Sequence, residues 1–228
     1  MHLMIIGLFL AALVWGPQAW ARYTFNRYSG SLERIPGTGG ELARHLLDQF
    51  DLQAVGVEQT EMGGDHYDPT TRTVRLGPDN YANHSLTAVA VAAHEVGHAI
   101  QHHRNEPRFA LRTRLVQLTQ SAQQLGAAAM FAVPLIMAVT RRPSAGILLV
   151  LLGILSMGSA TLVHLVTLPV EFDASFGKAL PILKRGQYIS KADEAAVARI
   201  LKAAALTYVA ASLASLLNIG RWIAMLRR

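Results

Sequence analysis

Residues 88–103, AVAVAAHEVGHAIQHH, constrain the fold more than any other stretch of this chain. Small apolar residues run without a break into His94-Glu95-x-x-His98. There is no Pro, and the single Gly, Gly97, stands between Glu95 and His98. Such a run predicts one helix. On a helix, residues four apart lie one turn above each other on one face. His94 and His98 therefore direct both imidazoles at one point, and Glu95 adjoins the first of them. That spacing is the HExxH pattern: two ligands for one metal ion, with a carboxylate in reach of the metal's water. The rival reading is a packed helix with a polar notch. Polar groups in an apolar helix are costly unless paired or metal-bound, and the lead-in Val89-Ala90-Val91-Ala92-Ala93 predicts that the motif is buried.

Composition narrows the ligand chemistry. The 228 residues include no Cys, so there are no disulfides or thiolate sites, and any zinc must be held by His and carboxylate. Hydrophobic residues make up 51% and charged residues 16%, with mean hydropathy +0.27 and net charge +6. The apolar residues come in blocks flanked by Arg, which predicts a mainly α, multi-pass membrane protein beside anionic lipid. Aromatic and basic residues do not interleave, which speaks against nucleic acid.

Residues 2–20 are long enough to span a bilayer. A retained anchor is favoured over a cleaved signal peptide, because Arg22 and Arg27 follow and no Lys or Arg precedes. Pro17 should kink or end that helix. A helical pattern covers Glu41–Phe50. Short strands are expected at Leu52–Gln59 and Thr71–Leu76, with Asp68-Pro69 as a turn. Asn83 or Ser85 should cap the central helix. Residues 122–140 and 145–168 read as a membrane hairpin, and the run from Ala203 as a fourth span. Ser190 followed by Asp193 and Glu194 predicts a helix start. The division is then 1–21 anchor, 22–120 metal-binding part with a small sheet, 121–168 hairpin, 169–202 return segment and 203–228 last helix. Two spans return the chain to the side it left, so His94, His98 and Glu171 can meet. The positive-inside tendency places the site on the cytoplasmic side of the inner (plasma) membrane.

A catalytic zinc takes three protein ligands and a water. His102 shares a face with His94 and His98, but eight residues of helical rise separate His94 from His102 by about 12 Å. One ion cannot bridge that row, so His102 reads as a supporting or substrate-side group. Asp65 and His66 are alternatives. Glu171 is preferred, with Asp173 second.

Asp65-His66-Tyr67-Asp68-Pro69, Thr73-Val74-Arg75-Leu76, the block Ala92–His102 and Pro169-Val170-Glu171-Phe172-Asp173-Ala174-Ser175 together resemble the YugP-like neutral zinc metallopeptidases, a bacterial membrane family. The resemblance covers most of the chain and implies a multi-pass membrane zinc protease with a zincin-like (gluzincin) core. More distantly the chain is similar to the HtpX and CAAX-processing proteases. There a Glu-x-x-x-Asp pattern supplies the third ligand and a supporting carboxylate. The match implies that Glu171 is the ligand, and Ser175 stands where the Asp would be. Ser175 or Asp173 would then support a ligand histidine.

The implied chemistry is peptide-bond hydrolysis at one Zn2+ per chain, with Glu95 as base and then acid. Oxyanion candidates are His66, Tyr67, His164 and Tyr188. The strand Thr73, Val74, Arg75 and Leu76 is a candidate for holding an extended substrate. Expected partners are a membrane-associated protein or peptide substrate, the lipid bilayer, and an accessory membrane protein or a second copy of the chain. The alternatives are a non-catalytic membrane scaffold with a structural zinc, in which Glu95 has no purpose, and a metal-transport module. The spans hold almost none of the carboxylates or histidines that transport needs.

Overall fold

The computed structural model describes residues 2–140, 163 and 166–207. The chain divides into two compact units. One comprises Pro17–Ala110 and Leu168–Thr207, and the other Met1–Gly16, Leu111–Thr167 and Tyr208–Arg228. The first unit carries the candidate site.

Helix α1 covers His2–Arg27 and runs on through Pro17. In the first unit its last turns bury Ala21 and Thr24, and Thr87 Oγ1 donates to Phe25 O at 2.9 Å. Helix α2, Gly39–Gln49, opens with a capping box. Thr38 Oγ1 accepts from Glu41 N at 3.2 Å, and Glu41 Oε2 accepts from Thr38 N at 2.8 Å. The expected start at Glu41 moves back to Gly39 because the first turn lies against backbone. A Cβ at Gly39 would overlap Asn80 O, so only glycine fits there. The same face of α2 goes on to bury Ala43, Leu46 and Leu47.

Strands β1 (Gly56–Gln59), β2 (His66–Asp68) and β3 (Thr73–Leu76) form one sheet in the order β1-β3-β2. β1 runs parallel to β3, and β2 runs antiparallel to it with Tyr67 opposite Val74. Val74 and Leu76 are fully buried under the sheet. β2 is a strand that the sequence pattern shows only as the Asp65–Pro69 motif. A single turn, α3 (Pro78–Tyr81), leads into α4, Leu86–His103.

Ser85 caps α4, its Oγ accepting from Ala88 N at 3.1 Å. Asn83 instead donates to Ser29 O. Every residue of α4 from Leu86 to Gln101 is buried. A helix that is apolar on all faces belongs inside a fold, and each fully buried Val, Leu or Ile contributes about 1.5–3 kcal/mol. α4 is therefore the axis on which α2, the sheet and the return segment pack.

After α5, Pro107–Thr140, the return segment is one helix over residues 166–185. It is α-helical to 172, π-helical over Asp173–Ala179 and α-helical again over Leu180–Arg185. Glu171 sits inside this helix rather than at its start. A closing helix over residues 194–207 follows. Ser190 Oγ accepts from Asp193 N at 3.2 Å, and Arg34 pairs with Asp193 at 2.7 Å.

The expected multi-pass architecture is corrected here. Among the described residues no helix is long and apolar enough to cross a membrane. In α1 and α5 the apolar run is one part of a longer helix whose other turns are polar: Gln18, Arg22, Asn26 and Arg27 in α1, Arg108, Arg112, Arg114, Gln117 and Gln120 in α5. An inner-membrane location, a lipid-bilayer partner and the membrane partners that followed from them lose their basis with the spans. The stretch 145–168 lies outside the described residues except for 163 and 166–168, and the run from Ala203 is described only to 207.

Candidate metal centre

α4 presents His94 and His98 one turn apart, with ring centroids 4.7 Å from each other. The return helix brings Glu171 against both. Glu171 Oε2 is 3.3 Å from His94 Nε2 and 3.2 Å from His98 Nε2. All three side chains are buried, and their ligand atoms lie within 4.8 Å of one another.

The outer nitrogens of the two rings decide what this cluster is. Ser175 Oγ lies 3.0 Å from His94 Nδ1 and 3.1 Å from Leu201 O. A carbonyl only accepts, so the hydroxyl donates to Leu201 and accepts from His94 Nδ1–H. Gln101 behaves alike. Its Nε2 donates to Val170 O at 3.0 Å and Asp173 Oδ2 at 2.8 Å, which turns its Oε1 to His98 Nδ1 at 2.9 Å. In its neutral form each imidazole then carries the proton on Nδ1 and turns Nε2 to Glu171 as a lone pair. Two lone pairs and a carboxylate oxygen then converge on one point. Three acceptors in a dry site call for a cation between them. Ligands about 2.0–2.1 Å from one tetrahedral ion stand about 3.3 Å apart, the spacing of Glu171 Oε2 from each histidine here. The donor set of two His and one Glu, with no thiolate, fits zinc.

Glu95 lies beside this cluster and is buried. Burial pushes its carboxyl up to about 7. His94 lowers it, Glu171 and Asp65 raise it, and a hydrogen bond from the Tyr67 backbone N–H lowers it. That amide belongs to β2, so the edge strand of the sheet lies beside the glutamate. For Glu171, burial works upward, but without an ion the charge of His98 and the hydrogen bonds from both histidines outweigh it and hold the carboxyl well below its usual range.

Comparison with known proteins agrees with this geometry. Residues 3–227 match the model of a family described as "Putative neutral zinc metallopeptidase". The chain belongs to this zinc metallopeptidase family. It is 37% identical to the "Putative membrane protease YugP" of Bacillus subtilis (strain 168) over 226 residues, 97% of this chain and 96% of that protein. No solved structure matches the chain.

Within this member of the family, the residues marked out in the sequence fall into distinct places. Ser175 lies with its Oγ 3.0 Å from His94 Nδ1. Asp173 does not reach a ligand ring but accepts from Gln101 and Lys178. His102 lies one turn beyond His98, its Nδ1 2.8 Å from Tyr67 Oη and its ring stacked on Phe109. Burial pushes the Tyr67 phenol up to about 12 and lowers the His102 imidazole. His66 is exposed and donates Nδ1–H to Gly64 O at 2.6 Å. Tyr188 Oη is engaged by His45 Nε2 and Gln49 Oε1. His164 lies outside the described residues. Thr73, Val74, Arg75 and Leu76 form the middle strand, flanked by β1 and β2. A peptide cannot add to a strand already paired on both sides; the strand beside Glu95 with a free edge in this sheet is β2.

Sequence reading passed over Gln101 and Gly97. Gln101 stands three residues after His98, the helical spacing that puts one side chain against the other. At Gly97 a Cβ would lie 2.9 Å from Ala174 O and 3.3 Å from Ala174 Cα. The return helix therefore comes close enough to deliver Glu171 only because position 97 has no side chain. Gly97→Ala should cost about 1–3 kcal/mol through overpacking and weaken zinc binding, read by thermal unfolding and chelator competition. Unchanged affinity would mean that the close approach is not needed.

Proposed function

We propose that this chain is a zinc-dependent endopeptidase in which His94, His98 and Glu171 hold the ion and Glu95 is the general base. The observation that carries the reading is the convergence of two Nε2 atoms and one carboxylate oxygen in a buried site. When bound, zinc polarises the scissile carbonyl and acidifies a water. Glu95 takes the water proton and gives it to the leaving amine. A carboxyl held near neutral pH can do both, because neither protonation state is strongly favoured. The Tyr67 N–H orients that carboxylate. An extended substrate aligned with β2 would pass directly over Glu95.

The test is to purify the full chain, measure zinc per chain and follow cleavage of an unfolded polypeptide. The expected result is one zinc per chain and chelator-sensitive internal cleavage. A zinc-loaded chain that cleaves nothing would leave the scaffold with a structural ion. A chain that binds no zinc would overturn the centre itself.

A further inference from the structure

We infer that Lys178 and Asp173, clamped across the π-helical turn after Glu171, are positioning residues for the metal ligands. The inference rests on the metal reading above and adds to it how the third ligand is held in place.

The return helix changes its winding just past Glu171. Leu180 N–H bonds Ser175 O, five residues back, instead of the four of an α-helix. This has a direct effect on side chains five apart. In an α-helix they diverge by about 140°, whereas with the wider turn of a π-helix they diverge by about 50°. Asp173 and Lys178 are such a pair, and they meet in an ion pair. Gly177 makes room for it, since a Cβ there would overlap Asp173 Oδ1.

The clamp is buried at its cationic end and wired to the ligands. Lys178 is only 8% exposed and also pairs with Glu106 Oε1 at 2.9 Å. Asp173 Oδ2 accepts from Gln101 Nε2, whose other end accepts from His98 Nδ1. The same Gln101 nitrogen donates to Val170 O, the residue before Glu171. One chain of bonds thus runs from His98 through Gln101 to Asp173, Lys178 and Glu106, and it pins the backbone on both sides of Glu171. Breaking a buried pair by removing one partner leaves an uncompensated charge. Without Lys178, Asp173 and Glu106 lose the cation between them. The π-turn then loses the contact that favours it over α-helical winding. Rewinding by one residue would rotate everything after it, including Ser175, which must stay on His94.

The experiment uses the full chain loaded with Co(II), whose visible bands report ligand geometry. Lys178→Met, Lys178→Arg and Asp173→Asn are compared with the parent for Co(II) affinity by chelator competition, for band position, and for melting without metal. Lys178→Met and Asp173→Asn should each weaken Co(II) binding by about 10–100-fold, the range for residues that orient ligands, and shift the bands. Lys178→Arg should restore most of the affinity. Asp173→Asn keeps the side-chain shape and so reports even if Lys178→Met fails to fold. Folded variants with parental affinity and bands would overturn the inference while leaving the centre intact. A parent chain that takes up no Co(II) would overturn the centre, and the inference with it.

Discussion

Glu95→Gln should keep the zinc and lose the cleavage. Glutamine has the shape of glutamate and can still accept the Tyr67 N–H through its carbonyl oxygen, so the strand remains attached. No ligand atom is touched. What disappears is the group that takes and returns a proton, and general-base catalysis contributes about 10²–10⁴-fold. The turnover rate should fall by that factor with KM little changed, and zinc per chain should match the parent. At three powers of ten the loss amounts to about 4 kcal/mol of transition-state stabilisation. Cleavage that survives at the parental rate would assign the base elsewhere, and a loss of zinc would mean that Glu95 is part of the ligand set.

Glu171→Gln should give a protein blind to metal. In the parent, the buried carboxylate faces two imidazole nitrogens whose outer partners have already fixed their tautomers. With neutral rings and no ion, acceptors face acceptors. A carboxamide changes one of them into a donor: its NH2 can bond the His94 or His98 Nε2, and the charge is gone. An ion that binds only the folded state stabilises it by about 2.7 kcal/mol at a hundred times its Kd. Adding zinc should therefore raise the parent's melting temperature and leave that of Glu171→Gln unchanged. A zinc-dependent rise in the variant would remove Glu171 from the ligand set.

The sequence carried the two histidines and Glu95 by helical spacing alone, because i and i+4 on an uninterrupted apolar helix leave little freedom. Glu171 was reachable through the resemblance of its motif and through elimination of His102 by helical rise. Ser85 as cap and the strand at Thr73 were legible for the same local reasons. The π-turn was not: nothing in Asp173-Ala174-Ser175-Phe176-Gly177-Lys178 announces it until the buried partners of Lys178 are known. Gln101 was hidden because a carboxamide at i+3 is ordinary on a helix, and it gains meaning only when His98 needs an acceptor. The substrate strand went to β3 because strand order is a tertiary fact, and β2 is too short for alternation to reveal. Apolar blocks suggest membrane crossing, but among the described residues no helix is long and apolar enough for it.

The two groups that orient the histidines, Ser175 and Gln101, are both uncharged. A carboxylate in either place would raise the basicity of its imidazole and add a negative charge to the centre. In the proposed centre Glu171 would be the only anionic ligand among the described residues, so a divalent ion would keep a net positive charge. Such a centre pulls harder on the electrons of a peptide carbonyl, and in return it grips its ion less firmly. The hydroxyl and the carboxamide thus tilt the site toward electrophilic strength and easier exchange of the metal.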